Sequence, residues 1–215
     1  MADMDRIIVE PTGGLCNRLR VVFSYIGLSA KESKVLEVVW RKNRDCDGFF
    51  LDFFEDVPGA VFVDSPSGDI FYKGCYPLGV PDYGNLRLRP TMEKRVRERI
   101  DSIGGKYLAA HIRRTDHVEL AKSKGLFTGD EVFADFFEKN EGKIFIATDN
   151  PETQAKFKNI YKDRLFIFSH IEESADHRMT SLEDAVLDIY TCANSSEFIG
   201  TRYSSFSDFI KILRS

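Results

Sequence analysis

Tyr107-Leu108-Ala109-Ala110-His111-Ile112-Arg113-Arg114-Thr115-Asp116 is the stretch on which the reading of the fold turns. Its apolar run follows Gly104-Gly105 and is too short for a helix. It reads as a buried strand whose carboxyl end carries an imidazole, two guanidiniums and a carboxylate. In open α/β sheets, ligands bind in the crevice outside the carboxyl ends of the strands. Paired arginines there suit phosphate, because a planar guanidinium makes two parallel hydrogen bonds to its oxygens. A surface ion-pair cluster is the plainer reading of the same residues.

Outward from that strand, the second half of the chain alternates strand and helix. Pro90 opens a helix to about Ile103, with Met92, Val96, Ile100 and Ile103 on one face. Thr128-Gly129-Asp130-Glu131 has the form of a capping box, and Val132, Phe133, Phe136 and Phe137 make a helical stripe after it. Lys143 to Thr148 is a strand, Asn150-Pro151 a cap with proline at the first helical position, and Leu165 to Phe168 another strand. Ser181 caps a helix to about Asn194, and Glu197 to Gly200 is a last strand. Such interleaving implies parallel βαβ units and an α/β fold. In the first half, Arg6 to Glu10 is a strand, Gly13-Gly14 a turn, Leu15 to about Lys31 a helix and Val35 to Trp40 a second strand. From Asn43 to Tyr83, four prolines and several glycines predict short strands and loops. The halves divide at 1–87 and 88–215, with a hinge near Asp82 to Arg89.

The 215 residues include 43% hydrophobic side chains and 18 phenylalanines, enough for an aromatic-rich core. A net charge of −4 argues against nucleic acid as a partner bound through a broad basic face, so anion binding must be local. Cys16, Cys46, Cys75 and Cys192 are far apart, which excludes the usual zinc spacings and points to a reducing compartment. No membrane span and no leader-like apolar segment is read, so the expectation is a soluble, cytoplasmic protein.

Further motifs sit at element ends. Gly13-Gly14-Leu15-Cys16-Asn17-Arg18 joins a strand to a helix whose amides favour an anion; it is neither a Walker A loop nor GxGxxG. Arg18 in the first turn opposes the helix dipole unless an anion is bound. Asp149-Asn150 follows the strand ending Ala147-Thr148, where an ordinary N-cap by Asp149 or Asn150 is the simpler role. Asp188 lies at the edge of the Leu182, Ala185, Ile189 and Cys192 stripe. Such a carboxylate needs a partner, either an internal arginine such as Arg202 or ligand N–H groups like the paired donors on the edge of guanine. Ser204 and Ser205, in the loop after the last strand, offer donors to phosphate or cap the next helix. Asp45-Cys46-Asp47 matches a DxD triplet by residue type alone, and no metal site is read from the sequence.

Together these motifs resemble the fucosyltransferase superfamily: the nodulation and N-glycan core fucosyltransferases and, more distantly, the protein O-fucosyltransferases. The Gly-Gly-Leu-x-Asn-Arg start, His-x-Arg-Arg-x-Asp, the Ala-Thr-Asp strand end, the Leu-Asp-Ile helix and the Ser-Ser loop occur in that family's order. The resemblance implies a compact GT-B-like arrangement of two Rossmann-like halves with parallel sheets. The reduced first half (1–87) would take the acceptor side and the second (88–215) the nucleotide sugar. It implies an inverting, metal-independent transfer of L-fucose from GDP-β-L-fucose to a glycan hydroxyl, with no cofactor besides the donor substrate. By matched position, Arg113 would bind the β-phosphate and Arg114 support the loop or the diphosphate. His111 and Asp188 would hold the guanine and ribose, Ser204 and Ser205 the phosphates, Asn17 and Arg18 would approach the diphosphate from the other half, and Gly14 and Asp149 would bind the donor. The chain departs from the family in having His117 where lysine is usual and Ala121 where glutamate is expected. The general base therefore stays open among Glu119, Asp116 and Glu10. A transferase for another nucleotide sugar, or a non-catalytic GDP-sugar-binding module, is the alternative.

Overall fold

A computed structural model describes residues 5–115, 118–171 and 180–215. The chain forms two compact units, Met1–Met92 and Glu93–Ser215, each built on a four-stranded sheet with every strand pair parallel. This is the α/β class with two Rossmann-like parallel sheets that the sequence implies.

In the first unit, β1 (Arg6–Pro11) leads through the Gly13-Gly14 turn into α1 (Leu15–Lys31). Then come β2 (Val35–Val39), the short α2 (Phe50–Phe53), β3 (Ala60–Val63) and β4 (Tyr72–Gly74), in the sheet order β3-β2-β1-β4. Gly13 has φ +75°, which favours glycine, and an added Cβ would lie 3.1 Å from the Asn17 side chain. The core is aromatic: Phe50 stacks on Phe62 at 3.8 Å, Trp40 meets both edge-on, and the buried indole N–H donates to the Gly48 carbonyl.

The second unit is entered along α3 (Pro90–Ile103), whose Met92, Val96 and Ile103 are buried. It continues through β5 (Tyr107–Ile112), α4 (Val118–Ser123), α5 (Asp130–Lys139), β6 (Lys143–Thr148) and α6 (Pro151–Tyr161). A 3-10 turn at Lys162–Arg164 leads to β7 (Leu165–Phe166), then α7 (Leu182–Ala193), β8 (Glu197–Gly200) and α8 (Ser205–Leu213). The order β7-β6-β5-β8 repeats that of the first unit. Alternation along β5 sends Leu108, Ala110 and Ile112 to a core with Phe133, Phe137, Phe157 and Tyr161, while His111 turns to the α8 side.

Three expectations are corrected. Thr128 does not build a capping box: Gly129 is the N-cap of α5, without a side-chain cap bond, and the Thr128 hydroxyl accepts the Arg202 amide at 3.1 Å instead. Val132 is 42% exposed and leaves the stripe to its phenylalanines. β7 stops at Phe166.

Candidate functional site

In both sheets the first strand lies between the second and the last, so the direction of winding reverses beside β1 and beside β5. Crevices form at such reversals. In the second unit the β5 and β8 ends are joined by Thr201. Its amide and hydroxyl donate to the His111 carbonyl at 2.9 and 3.1 Å, and its hydroxyl accepts the Arg113 amide at 2.9 Å.

The arginine loop is organised by Asp149, which is only 8% exposed at the end of β6. Oδ1 accepts the Arg114 amide at 2.9 Å, and Oδ2 accepts the Thr115 hydroxyl at 2.5 Å and pairs with Arg113 Nε at 3.1 Å. The N-cap of α6 is Asn150, whose side chain accepts the Thr153 amide, so capping is not what Asp149 does. The two guanidiniums then part company. Arg114 pairs with Asp130 at 2.6 Å and lies over Phe127 and Phe133. Asp130, also bound by Lys156, keeps its carboxyl below the usual range, the two cations outweighing the upward push of burial.

The loop after β8 is equally fixed. Ser204 caps α8, Ser205 opens it half-buried, and Phe206 stacks on His111 at 4.3 Å. His111 Nδ1 meets the buried Ser207 hydroxyl at 2.7 Å. Gly200 is needed here because a Cβ would stand 2.6 Å from that of Ser207.

Asp188 is 4% exposed on α7. Its structural partner is Arg99 of α3, not Arg202: Arg99 spans Asp188 (2.7 Å) and Asp184 (2.6 Å), and the Ser169 hydroxyl donates to Asp188 Oδ2 at 2.5 Å. Burial still pushes this carboxyl up to about 7, against the pull of Arg99 and Ser169. Arg99, Ser169, Thr201, Ser207 and Asp130 were not among the residues singled out for the site. Thr201 and Ser207 carried a signal, as hydroxyl residues of the run from Gly200 to Ser207 that follows the last strand.

In the first unit, Gly14 is the N-cap of α1, which has no acidic residue in its first turn. Asn17 is half-buried there. Arg18, only 1% exposed, donates to the carbonyls of Gly13 (2.8 Å) and Arg41 (2.6 Å) and to Asn43 Oδ1 (3.0 Å), with Trp40 beneath it. These acceptors account for a cation at that helix end without an anion. Glu10, buried at the end of β1, faces Lys73 at 2.8 Å and Arg41 at 3.4 Å. Burial raises its carboxyl, but the two cations bring it below the ordinary value. Glu119 on α4 has a side chain 87% exposed and paired with Lys122. Asp116 and His117 lie outside the described residues. Asp45 and Asp47 flank Cys46 in a turn whose amides at 45 and 46 are held by Asn43. Among the described residues no group of three His, Cys, Asp or Glu is placed to hold a metal ion, and no helix is long and apolar enough to cross a membrane.

No protein-family model and no curated protein matches the chain. Solved structures do. NodZ alpha-1,6-fucosyltransferase co-crystallized with GDP matches with a TM-score of 0.68 at 15% identity, over 99% of this chain and 93% of that one. Fucosyltransferase NodZ from Bradyrhizobium gives 0.69 at 15%, over 99% and 94%. POFUT1 in complex with GDP gives 0.67 at 9%, over 99% and 95%. At such identities the likeness establishes the fold, which is the one the fucosyltransferase-superfamily resemblance implies.

Proposed function

We propose that the chain is an inverting, metal-independent glycosyltransferase that moves L-fucose from GDP-β-L-fucose to a glycan hydroxyl. The observation that carries this reading is the Arg113 loop, tied by Asp149 at the β5/β8 reversal of a fold shared with fucosyltransferases solved with GDP. In the reaction, the acceptor oxygen bonds to the anomeric carbon while the bond from that carbon to the β-phosphate oxygen breaks. The electron pair leaves with GDP, and the acceptor proton passes to a carboxylate. Arg113 is the group that meets the charge building on the leaving phosphate. A fixed donor of this kind is worth roughly a hundred- to a thousandfold in turnover.

Arg114, pinned to Asp130, holds the loop, and Asp149 orients Arg113. His111, Asp188, Ser204 and Ser205 take the nucleotide in the second half (88–215). Gly14 and Asn17 serve the donor from the first half (1–87), the acceptor side, with Arg18 bracing their turn through Gly13, Arg41 and Asn43. The base is drawn from Glu10, Glu119 and Asp116. Four free cysteines favour a cytoplasmic setting.

One specific observation favours a second reading, a non-catalytic GDP-sugar-binding module. Of the base candidates described, Glu119 faces solvent beside Lys122 and Glu10 is clamped between Lys73 and Arg41. Incubation with GDP-fucose and a panel of glycan acceptors, with and without chelator, decides between them. Transfer undiminished by EDTA is expected. GDP binding without transfer to any acceptor supports the module, and preference for UDP over GDP in calorimetry points to a different nucleotide sugar.

A further inference from the structure

Ser207 sits in the first turn of α8, where a serine hydroxyl ordinarily turns back to a backbone carbonyl. Here it does not. Gly200 lacks the Cβ that would stand 2.6 Å from the Ser207 Cβ and 2.7 Å from its hydroxyl oxygen, so α8 settles against β8. From that position the hydroxyl reaches His111 Nδ1 at 2.7 Å, with Ser207 fully buried and His111 4% exposed. The Ser207 amide is taken by the Ser204 hydroxyl oxygen at 3.5 Å. Among the described residues Nδ1 is the one acceptor within reach of the Ser207 hydroxyl hydrogen. Were Nδ1 protonated, that hydrogen would be buried without an acceptor, at the desolvation penalty of an unmade bond.

We infer that Ser207, seated over Gly200, is a positioning residue that fixes His111 as the neutral tautomer protonated at Nε2. The ring is thereby committed to donate a hydrogen bond rather than accept one. Phe206, stacked on the imidazole at 4.3 Å and 21°, holds the ring plane. The Gly200–Ser207–His111 unit thus selects for an oxygen acceptor in the ligand, a phosphate or a sugar hydroxyl. In this respect it rests on, and deepens, the nucleotide-sugar reading above.

The test is long-range proton–nitrogen NMR on the whole 15N-labelled chain without nucleotide, at pH 8, above the ordinary imidazole range. The chain has four histidines, and His111→Gln assigns the signal of interest. The wild type is expected to show the Nε2–H pattern. Ser207→Ala is expected to give a mixture of tautomers and GDP binding weaker by about tenfold. Gly200→Ala, which displaces Ser207 without removing it, should change the spectrum in the same way. A wild-type ring protonated at Nδ1 overturns the inference whether or not either variant folds. So does a Ser207→Ala protein with both the wild-type tautomer and wild-type GDP affinity. A wild type with the Nε2–H pattern that binds no GDP upholds the tautomer and defeats the nucleotide reading, so the two failures are separable.

Discussion

Asp149 Oδ2 stands 3.1 Å from Nε of Arg113, and the other oxygen of the same carboxylate holds the amide of the next residue at 2.9 Å. One side chain at the end of β6 thus aims the guanidinium and fixes the backbone that carries it. Asp149→Ala is expected to lower transfer roughly a hundredfold, approaching the loss of a transition-state donor itself. Freeing the Arg114 amide and the Thr115 hydroxyl should also cost about 1–3 kcal/mol of stability. Asp149→Asn, which keeps one carbonyl oxygen for the Arg114 amide, should recover most of that stability but little of the turnover. Urea unfolding beside initial-rate measurements separates the two effects; equal recovery of both would contradict the orienting role.

The neighbouring arginines should fail differently. Arg113→Ala is expected to reduce fucose transfer at least a hundredfold with an unfolding midpoint close to wild type. Arg114 is packed on Phe127 and Phe133 and paired with Asp130, so Arg114→Ala removes that packing, leaves the carboxylate to Lys156 alone and should cost roughly 1–3 kcal/mol. A thermally intact Arg114→Ala protein would show that the Asp130 pair does not hold the loop.

Much of this was written locally in the sequence. Gly14 before Leu15 and Pro90 at a helix start mark α1 and α3 because helix starts are punctuated by residue type. The short apolar run places β5, and the polar residues after it form the loop that Asp149 ties. What escaped depends on partners distant in the chain. Arg99 looks like any surface charge among Arg95, Arg97 and Glu98, and only packing 89 residues on makes it the partner of Asp188. Thr128 has the sequence of a cap, yet the amide of Arg202, 74 residues away, competes for its hydroxyl and wins. Arg18 read as an anion's signal because its acceptors, the carbonyl of Arg41 and the side-chain oxygen of Asn43, belong to a loop after the next strand.

Glu37 offers a test of acid stability in the first unit. It is wholly buried in β2, where Ser67 donates its amide and hydroxyl at 2.6 Å each and Arg6 pairs at 2.5 Å. Burial raises its carboxyl, but Ser67 and Arg6 together carry it below the ordinary value. A carboxylate depressed in the folded state adds stability above its unfolded value, about 4.3, and loses it as pH falls through the folded one. Glu37→Gln should therefore be less stable than wild type by about 1–3 kcal/mol at pH 7, with the gap closing below pH 4. Urea titrations at the two pH values check this, and a gap that stays constant would remove the ionised Glu37 from the account.

Asp188 should act in the opposite sense. Its carboxyl, pushed up to about 7 by burial, is faced by Arg99, Ser169, Asp184 and the Cys192 thiol. Its contribution to folding is full below the unfolded value near 3.9 and is lost as pH rises through about 7. Ligand binding inverts the preference, since only the ionised group can accept two N–H donors from a guanine edge with both oxygens. Affinity for GDP-fucose is therefore expected to rise with pH up to about 7 and then level, approaching tenfold per unit on the acid side. The sugar diphosphate is a diester without the secondary phosphate ionisation of GDP, so the titration reads the protein. Asp188→Asn should bind weakly with no such slope. Arg99→Gln, which removes the cation favouring the charged form, should shift the midpoint upward. Calorimetry from pH 5.5 to 8.5 measures all three, and a wild-type affinity flat across that range would separate Asp188 from nucleobase recognition.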